Sequence, residues 1–530
     1  MASALQRASA IMASGTMVSR VLGLVKTMLL VAAIGQLSRS ADAFANGNVL
    51  PNTLYMLLAG GMLNAVLVPQ IVKSVQHPDG GKAYLNKVLT LVSVALFAIT
   101  ALAMLAAPLI IELLTSNWPP EQRTLAILFS YWCIPQIIFY GLYTVLGEAL
   151  NAKKIFGPFT WSPAIANIIA IAGIIVYIVV FGANKNPPIE GWNAWSIALL
   201  GGSATLGIAA QALILIVPWR RAGLGFSLDF QWRGVGLKQT GKTAFWGLAA
   251  VTVMTFGGFI TTRIMNLASG EGPALMAMQN IWLVFMLPHS VLAVSLVTAY
   301  FTSLSELGQS GRLAEFRTTF LSAAKQVSML MVFAAALMFV AAPFVSRVLW
   351  AAGSAEEIQV VAQVIRVYSV GLAAYSLMFA TQRAFFALSD ARTPFFFITG
   401  QLLALILGTA GAVFFVDASK IGAAYAAIWS VTTVAQAGFA LWLLRRKIGA
   451  FGGRGLATSF GRYVVAAVPA LIAGYALSAW SIASNPEFGV FLAIGLALGI
   501  SAVMGLIYFG MLLLLRVPEA SGIARRVLRR

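Results

Sequence analysis

Fourteen long apolar runs constrain the fold of this chain more than any other feature of its sequence. A helix needs about 20 apolar residues to cross the hydrocarbon core of a membrane. Only 10% of the residues are charged, whereas soluble domains carry about 25%. The sequence therefore predicts an all-α polytopic membrane protein with about 14 transmembrane helices. The runs lie at about 8–34, 45–73, 86–114, 124–147, 157–181, 194–218, 243–268, 275–304, 318–346, 360–386, 393–415, 421–444, 463–485 and 488–515.

Basic residues are divided unequally between the two sides that fourteen crossings define. Of 35 Lys and Arg residues, 26 fall on the side of the N-terminus, five fall on the opposite side and four lie in or near the runs. Cytoplasmic loops carry the excess of basic residues, so both termini are predicted to be cytoplasmic. This bias also accounts for the net charge of +19 without a nucleic-acid partner. The five opposite residues are Arg39, Arg123, Lys185, Arg347 and Lys420.

Matched proline spacings indicate an internal repeat. Pro51 and Pro288 are 237 residues apart, and Pro158 and Pro394 are 236 apart. Coincidence among 19 prolines is the alternative. Parallel repeats are typical of transporters. We therefore expect two six-helix lobes and two extra helices, divided as an N-terminal lobe at 1–218, a cytoplasmic linker at 219–242, a C-terminal lobe at 243–446, and two extra helices with a basic tail at 447–530.

Motifs for catalysis and metal binding are missing from the sequence. There is no HExxH, no GxSxG, no phosphate-binding loop and no paired-carboxylate array. The single cysteine, Cys133, excludes an internal disulfide, and His77 and His289 are too far apart in sequence for a paired-histidine motif. We expect no enzyme activity, no metal and no cofactor.

Charges inside the apolar runs are the strongest functional signal, because each costs about 2.5–3.5 kcal/mol near the bilayer centre. Arg20 and Lys26 lie in the first run, and we expect both to face a water-filled cavity that holds an anionic substrate. The alternatives are an ion pair of Arg20 with Asp42, and snorkelling of Lys26 toward the interface. For Arg263, interfacial anchoring and ligand binding both stay open, and Arg366 fits snorkelling better.

The second run carries a polar stripe. Asn48, Asn52 and Tyr55 are spaced i, i+4 and i+7 and so share one helical face. This face is predicted to point inward, either to bind substrate or to hydrogen-bond a neighbouring helix. Pro51 makes the same helix a candidate for bending.

Several segments together resemble the MurJ (MviN) family of lipid II flippases, in the multidrug/oligosaccharidyl-lipid/polysaccharide exporter superfamily. Each segment is weak alone, but their order and spacing are specific. They span both predicted lobes. The matching segments are Ser19-Arg20-Val21-Leu22-Gly23, Ala41-Asp42-Ala43-Phe44, Leu50-Pro51-Asn52, Leu67-Val68-Pro69, Leu150-Asn151-Ala152 with Pro158, and the stretch from Arg383 to Pro394.

The sequence also departs from the family pattern at charged positions. Lys26-Thr27 stands where the family usually has Arg-Asp, and Tyr55-Met56 stands in place of an arginine pair. Gly60 replaces the usual glutamate. The eighth helix lacks the expected arginine before Pro288. Of the family's cationic set, Arg20 matches outright.

The resemblance implies a flippase that moves lipid II from the inner to the outer leaflet of a bacterial cell membrane by alternating access. Arg20 and Lys26 would neutralise the diphosphate, with Arg263 sharing the role, and the stripe residues Asn48, Asn52 and Tyr55 would bind sugar or phosphate oxygens. Ser19 would cap the same phosphate or bond its own helix, and Asp42 completes the candidate set.

The resemblance implies lipid II and the bilayer as partners, with cell-wall synthesis or division proteins as further candidates. The alternatives are a flippase for another polyprenyl-linked glycan, a cation/drug antiporter and a non-transporting cell-wall scaffold.

Overall fold

The structure, a computed structural model, describes residues 2–58, 74, 79, 81–231 and 241–521. Over these ranges the chain forms helices joined by short loops and contains no strand. The all-α class is thereby confirmed. The chain divides into two compact units, at 1–270 and 271–530.

The N-terminal unit contains nine helices among its described residues. Its largest apolar core lies between α3, α5 and α8 and includes Leu89, Leu146 and Trp219. The helices are α1 (Ala2–Ile34), α2 (Arg39–Leu58), α3 (Lys82–Leu114), α4 (Pro120–Cys133), α5 (Gln136–Ala152), α6 (Gly157–Phe181), α7 (Ala194–Leu213), α8 (Ile216–Arg221) and α9 (Gly241–Asn266).

The C-terminal unit is organised around one long helix, α12 (Leu313–Leu349). Its neighbours include α13, α14, α17 and α18, so the two C-terminal helices pack on the same unit. The other helices are α10 (Leu275–Pro288), α11 (Val294–Gln309), α13 (Ala355–Val370), α14 (Leu372–Ala387), α15 (Arg392–Ala412), α16 (Ile421–Ile448), α17 (Gly453–Ser484) and α18 (Val490–Leu514).

The boundary between the units differs from the predicted lobe boundary. The sequence places residues 243–266 in the C-terminal lobe, whereas α9 packs with the N-terminal unit, which extends to Gly270. The cause is polar contact: the Arg263 and Asn266 side chains bond to residues at the end of α3.

The described residues contain 12 helices long and apolar enough to span a membrane, or 13 when α13 and α14 count as one bent span. The predicted run at 45–73 begins in α2 but continues into residues outside the described ranges. Leu67-Val68-Pro69, Gly60 and His77 also lie outside them. The prediction of a polytopic membrane protein is confirmed, and the count of fourteen is not.

Several predicted runs are broken helices in the structure. The run at 360–386 bends by 42° between α13 and α14. The break falls at Gly371, where an added Cβ would lie 2.7 Å from the Trp429 ring, so close packing of α16 requires glycine. The run at 275–304 is interrupted after Pro288 by a π-helical turn over His289–Ala293. By contrast, α2 continues through Pro51.

Two helix ends carry the same turn in the two units. After α5, Ile155 N–H donates to Leu150 O and Lys154 N–H to Asn151 O, both at 2.9 Å. After α14, Asp390 N–H donates to Phe385 O and Ser389 N–H to Phe386 O, also at 2.9 Å. Both are Schellman turns.

The left-handed position of each turn is occupied by a residue other than glycine: Lys154 has φ 64° and Ser389 has φ 58°. Such a conformation is uncommon outside glycine. The turns are 235 residues apart, which is what the predicted parallel repeat requires.

The second turn is reinforced by the Asp390 carboxylate, which accepts hydrogen bonds from Lys447 Nζ and from the Thr393 N–H and hydroxyl. Desolvation raises the pKa of Asp390, but the bonds from Lys447 and Thr393 outweigh it and hold the pKa below its ordinary value. Stability from this carboxylate is therefore present above its ordinary pKa and is lost as pH falls through the lowered value.

We expect Asp390→Ala to lower the melting temperature of the purified protein by about 2–4 °C, since losing a carboxylate that caps a helix costs about 1 kcal/mol. The variant should also lose the acid-side fall in stability. Asp417→Ala is the control, because Asp417 forms an exposed ion pair with Lys420 at 3.3 Å. Thermal unfolding measured between pH 3 and pH 7 tests both, and equal effects of the two variants would contradict the assignment.

Candidate functional site

A small polar cavity of about 90 Å³ lies inside the N-terminal unit, between α1, α2, α5, α6 and α7. One cation, Lys26, lines it together with amide and hydroxyl groups. The remaining lining is apolar. The polar lining residues are Lys26, Asn48, Gln136, Tyr140, Asn167 and Ser203.

The amide side chains of the cavity are oriented by specific hydrogen bonds. Gln136 Nε2 donates to Asn48 Oδ1 at 3.2 Å and to Thr205 Oγ1 at 3.1 Å. Asn167 Nδ2 donates to the Ser19 carbonyl at 2.9 Å and lies 3.4 Å from its hydroxyl. Lys26 is half-buried among these groups. A cation surrounded by fixed amides can hold an anion or the hydroxyls of a polar ligand.

The predicted stripe on α2 is divided by the structure. Asn48 contacts Gln136, and the Tyr55 hydroxyl bonds the Thr144 hydroxyl while its ring stacks on Tyr140 at 5.4 Å between centroids. These contacts are the helix-to-helix bonding that stood as the alternative to substrate binding. Asn52 is exposed.

Arg20 and Asp42 lie in different surroundings. The Arg20 side chain is exposed on α1. It precedes the end of α1 by 14 residues, about 21 Å of helix. Asp42 lies in the first turn of α2, just beyond that end, and is fully buried. An Arg20–Asp42 ion pair is therefore out of reach along the helix axis.

Asp42 belongs to a buried polar network. Its Oδ2 accepts the Ser269 hydroxyl at 2.7 Å, and Gln122 Nε2 donates to Ser269 Oγ at 2.9 Å. Beside them, the side-chain amides of Asn46 and Asn266 donate to one another at 3.0 and 2.9 Å. The network ties α2, α4 and the end of α9 together.

Arg263 contacts the end of α3. Its Nη1 donates to the Leu113 carbonyl at 3.0 Å and its Nη2 to the Ser116 hydroxyl at 3.1 Å. A guanidinium at a helix C-terminus satisfies free carbonyls and interacts favourably with the helix dipole. This geometry fits the anchoring interpretation of Arg263.

Sequence reasoning missed the partners of the candidate residues. Gln136, Tyr140, Asn167 and Ser203 are polar residues within apolar runs, and that exception was the available signal. In the described part of the chain, His, Cys, Asp and Glu form no group of three or more suited to a metal ion.

The matching family model is that of "Lipid II flippase MurJ", and it covers residues 30–495. The chain belongs to the MurJ family. A "Probable lipid II flippase MurJ" from Synechocystis sp. is 27% identical over 478 residues, covering 88% of this chain and 86% of the relative. A "Lipid II flippase MurJ" from Burkholderia cenocepacia is 26% identical over 404 residues, covering 73% and 74%.

Solved structures show the same fold. A MurJ lipid II flippase in an inward closed conformation superposes with a TM-score of 0.72 at 18% identity, covering 95% of this chain and 99% of that one. An inward-facing multidrug resistance transporter of the MATE family gives a TM-score of 0.65 at 14% identity, covering 83% and 98%. The predicted resemblance to the MurJ family is thus confirmed.

Proposed function

We propose that this protein is a lipid II flippase, which moves a polyprenyl-diphosphate glycolipid from the inner to the outer leaflet of the cell membrane. The observation that carries the proposal is the family match over residues 30–495, most of a polytopic chain. The transported molecule crosses unchanged, so no catalytic group is required.

The chemistry of α1 supports the proposal. A diphosphate cannot cross hydrocarbon without compensation of its charge. Arg20, exposed on α1, and Lys26, in the polar cavity, supply two cations on one helix. Asn48 and Asn167 offer amides to phosphate or sugar oxygens. Ser19, Asn52 and Tyr55 stay in the proposed site, while Arg263 and Asp42 support the fold around it.

Alternating access is the mechanism that the fold suggests. MATE-family transporters of similar fold have been solved in inward-facing and outward-facing conformations. In such a cycle the cationic helix would be reached from one leaflet at a time.

Depletion of the protein tests the proposed function. We expect lipid II to accumulate in the inner leaflet and to disappear from an impermeant outer-leaflet probe, with recovery when the gene is restored. Continued outer-leaflet labelling would overturn the proposal, and accumulation of a different polyprenyl-linked glycan would identify the alternative flippase. A scaffold predicts disorganised synthesis with normal translocation, and a drug antiporter predicts neither defect.

We further propose that both termini lie in the cytoplasm. The single native cysteine is buried, so introduced cysteines can be labelled selectively. We expect Lys185→Cys to react with an impermeant maleimide in intact cells and Gln309→Cys to react only after permeabilisation, because both side chains are exposed on opposite predicted sides. The parent protein, with Cys133 alone, is the control, and the reverse pattern would contradict the orientation.

A further inference from the structure

A groove of about 420 Å³ in the N-terminal unit takes no part in the proposed transport site. Its walls come from α3, α5, α7 and α8 and are mainly aliphatic, as at Leu89, Leu142 and Ile216. Trp219, 3% exposed, lies against its inner wall, and the exposed Arg220 lines its rim. The volume falls within the range of about 300–1,000 Å³ typical of ligand sites.

The groove is bordered by an extended segment, residues 222–231, which we call the strap. Asn86 Nδ2 donates to Ser227 Oγ at 2.8 Å, Ser227 N–H donates to Asn86 Oδ1 at 3.2 Å, and Asp229 N–H donates to Thr90 Oγ1 at 3.0 Å. These bonds fix the strap on α3.

The strap alternates polar and apolar side chains. Ser227 and Asp229 bond to α3, whereas Phe226, Leu228 and Phe230 are 60%, 66% and 61% exposed. In extended chain, alternate residues point to opposite sides. Three large apolar side chains therefore lie on the side away from α3, as in segments that lie in a membrane interface.

Basic groups collect at the same place. Arg220 and Arg221 end α8, and Lys153 Nζ donates to the Ala222 carbonyl of the strap at 3.3 Å. An apolar cleft with cations at its rim complements an amphiphile with an anionic head. This end carries the basic excess of the proposed cytoplasmic side.

We propose that the groove binds one anionic phospholipid of the inner leaflet, with an acyl chain along Leu89, Leu142 and Ile216 and the phosphate at Arg220. A polyprenyl chain is much longer than the groove, which distinguishes this occupant from the transported lipid. The bound lipid would fill the space between α3, α5 and the strap and hold the strap in the interface.

The experiment uses the full purified chain in a neutral detergent, with phosphatidylglycerol, phosphatidylcholine and a polyprenyl phosphate each added at equal concentration. Native mass spectrometry measures the lipid retained. We expect one phosphatidylglycerol to be retained in preference to phosphatidylcholine. Arg220→Gln should reduce that preference about five-fold, the effect of one basic residue at a membrane surface. Arg221→Gln is the matched control, since Arg221 is a neighbouring exposed arginine that does not line the groove.

A second variant tests the apolar part. Ser93→Phe adds a ring inside the groove and should reduce retention of phosphatidylglycerol without removing the charge, and an unchanged melting temperature in lipid-free detergent shows that it folds. Equal retention of the two phospholipids, equal effects of Arg220→Gln and Arg221→Gln, or stronger Arg220-dependent retention of the polyprenyl phosphate would each overturn the proposal. None of these readings depends on transport.

Discussion

Arg20→Ala should abolish lipid II translocation while leaving the protein in the membrane at its normal level. Arg20 matches the family motif outright and is exposed on α1 rather than packed in the core. Removing one partner of a hydrogen-bonded charge pair costs about 2 kcal/mol or more, so translocation should fall about 30-fold or more. Arg20→Lys should restore only part of it, because lysine lacks the bidentate fork that arginine presents to phosphate.

The measurement is outer-leaflet lipid II per molecule of protein in the membrane. Arg366→Ala is the matched control: it also removes an arginine from an apolar run, but its Nε lies 3.4 Å from the Phe339 carbonyl. We expect that variant to transport normally. If Arg20→Ala lowers the amount of protein and leaves the activity per molecule intact, Arg20 supports the fold and does not bind substrate.

The second large effect is expected at Lys26, where the charge should matter more than the shape. Lys26 lines the polar cavity beside Asn48, Gln136 and Asn167. Lys26→Ala and Lys26→Met should both reduce translocation about ten-fold or more, since a hydrogen bond to a charged group contributes about 1.5–3 kcal/mol. Lys26→Arg should retain most of the activity.

Methionine is the informative control at this position because it keeps most of the side-chain length and removes the charge. Translocation by Lys26→Met at the parental rate would show that Lys26 only snorkels or fills space. The same growth and lipid II assays serve for all three variants.

The sequence predicted the fold class because apolar length is a direct physical requirement for crossing a bilayer. It missed the breaks inside the runs, since hydropathy does not report where a helix must bend. Gly371 is an example: its need for glycine comes from Trp429, 58 residues later. The division of the units at Gly270 also depends on distant contacts, such as Arg263 with Leu113.

The candidate site was predicted in part for the same reason. Lys26 and Asn48 were both chosen from sequence and line one cavity in the structure. The periodicity of α2 placed Asn48 and Tyr55 on one face, but periodicity within one helix cannot name the partner helix. That partner, α5, contributes Gln136 and Thr144.

The reciprocal amide pair of Asn46 and Asn266 has a consequence for how this chain can evolve. Each side chain is buried and bonded to the other, at positions 220 residues apart. Replacing one asparagine leaves a buried amide unsatisfied, whereas replacing both by apolar residues of similar shape removes the penalty. The route from one stable pair to another therefore passes through a less stable single mutant, and selection acts on the two positions as one unit.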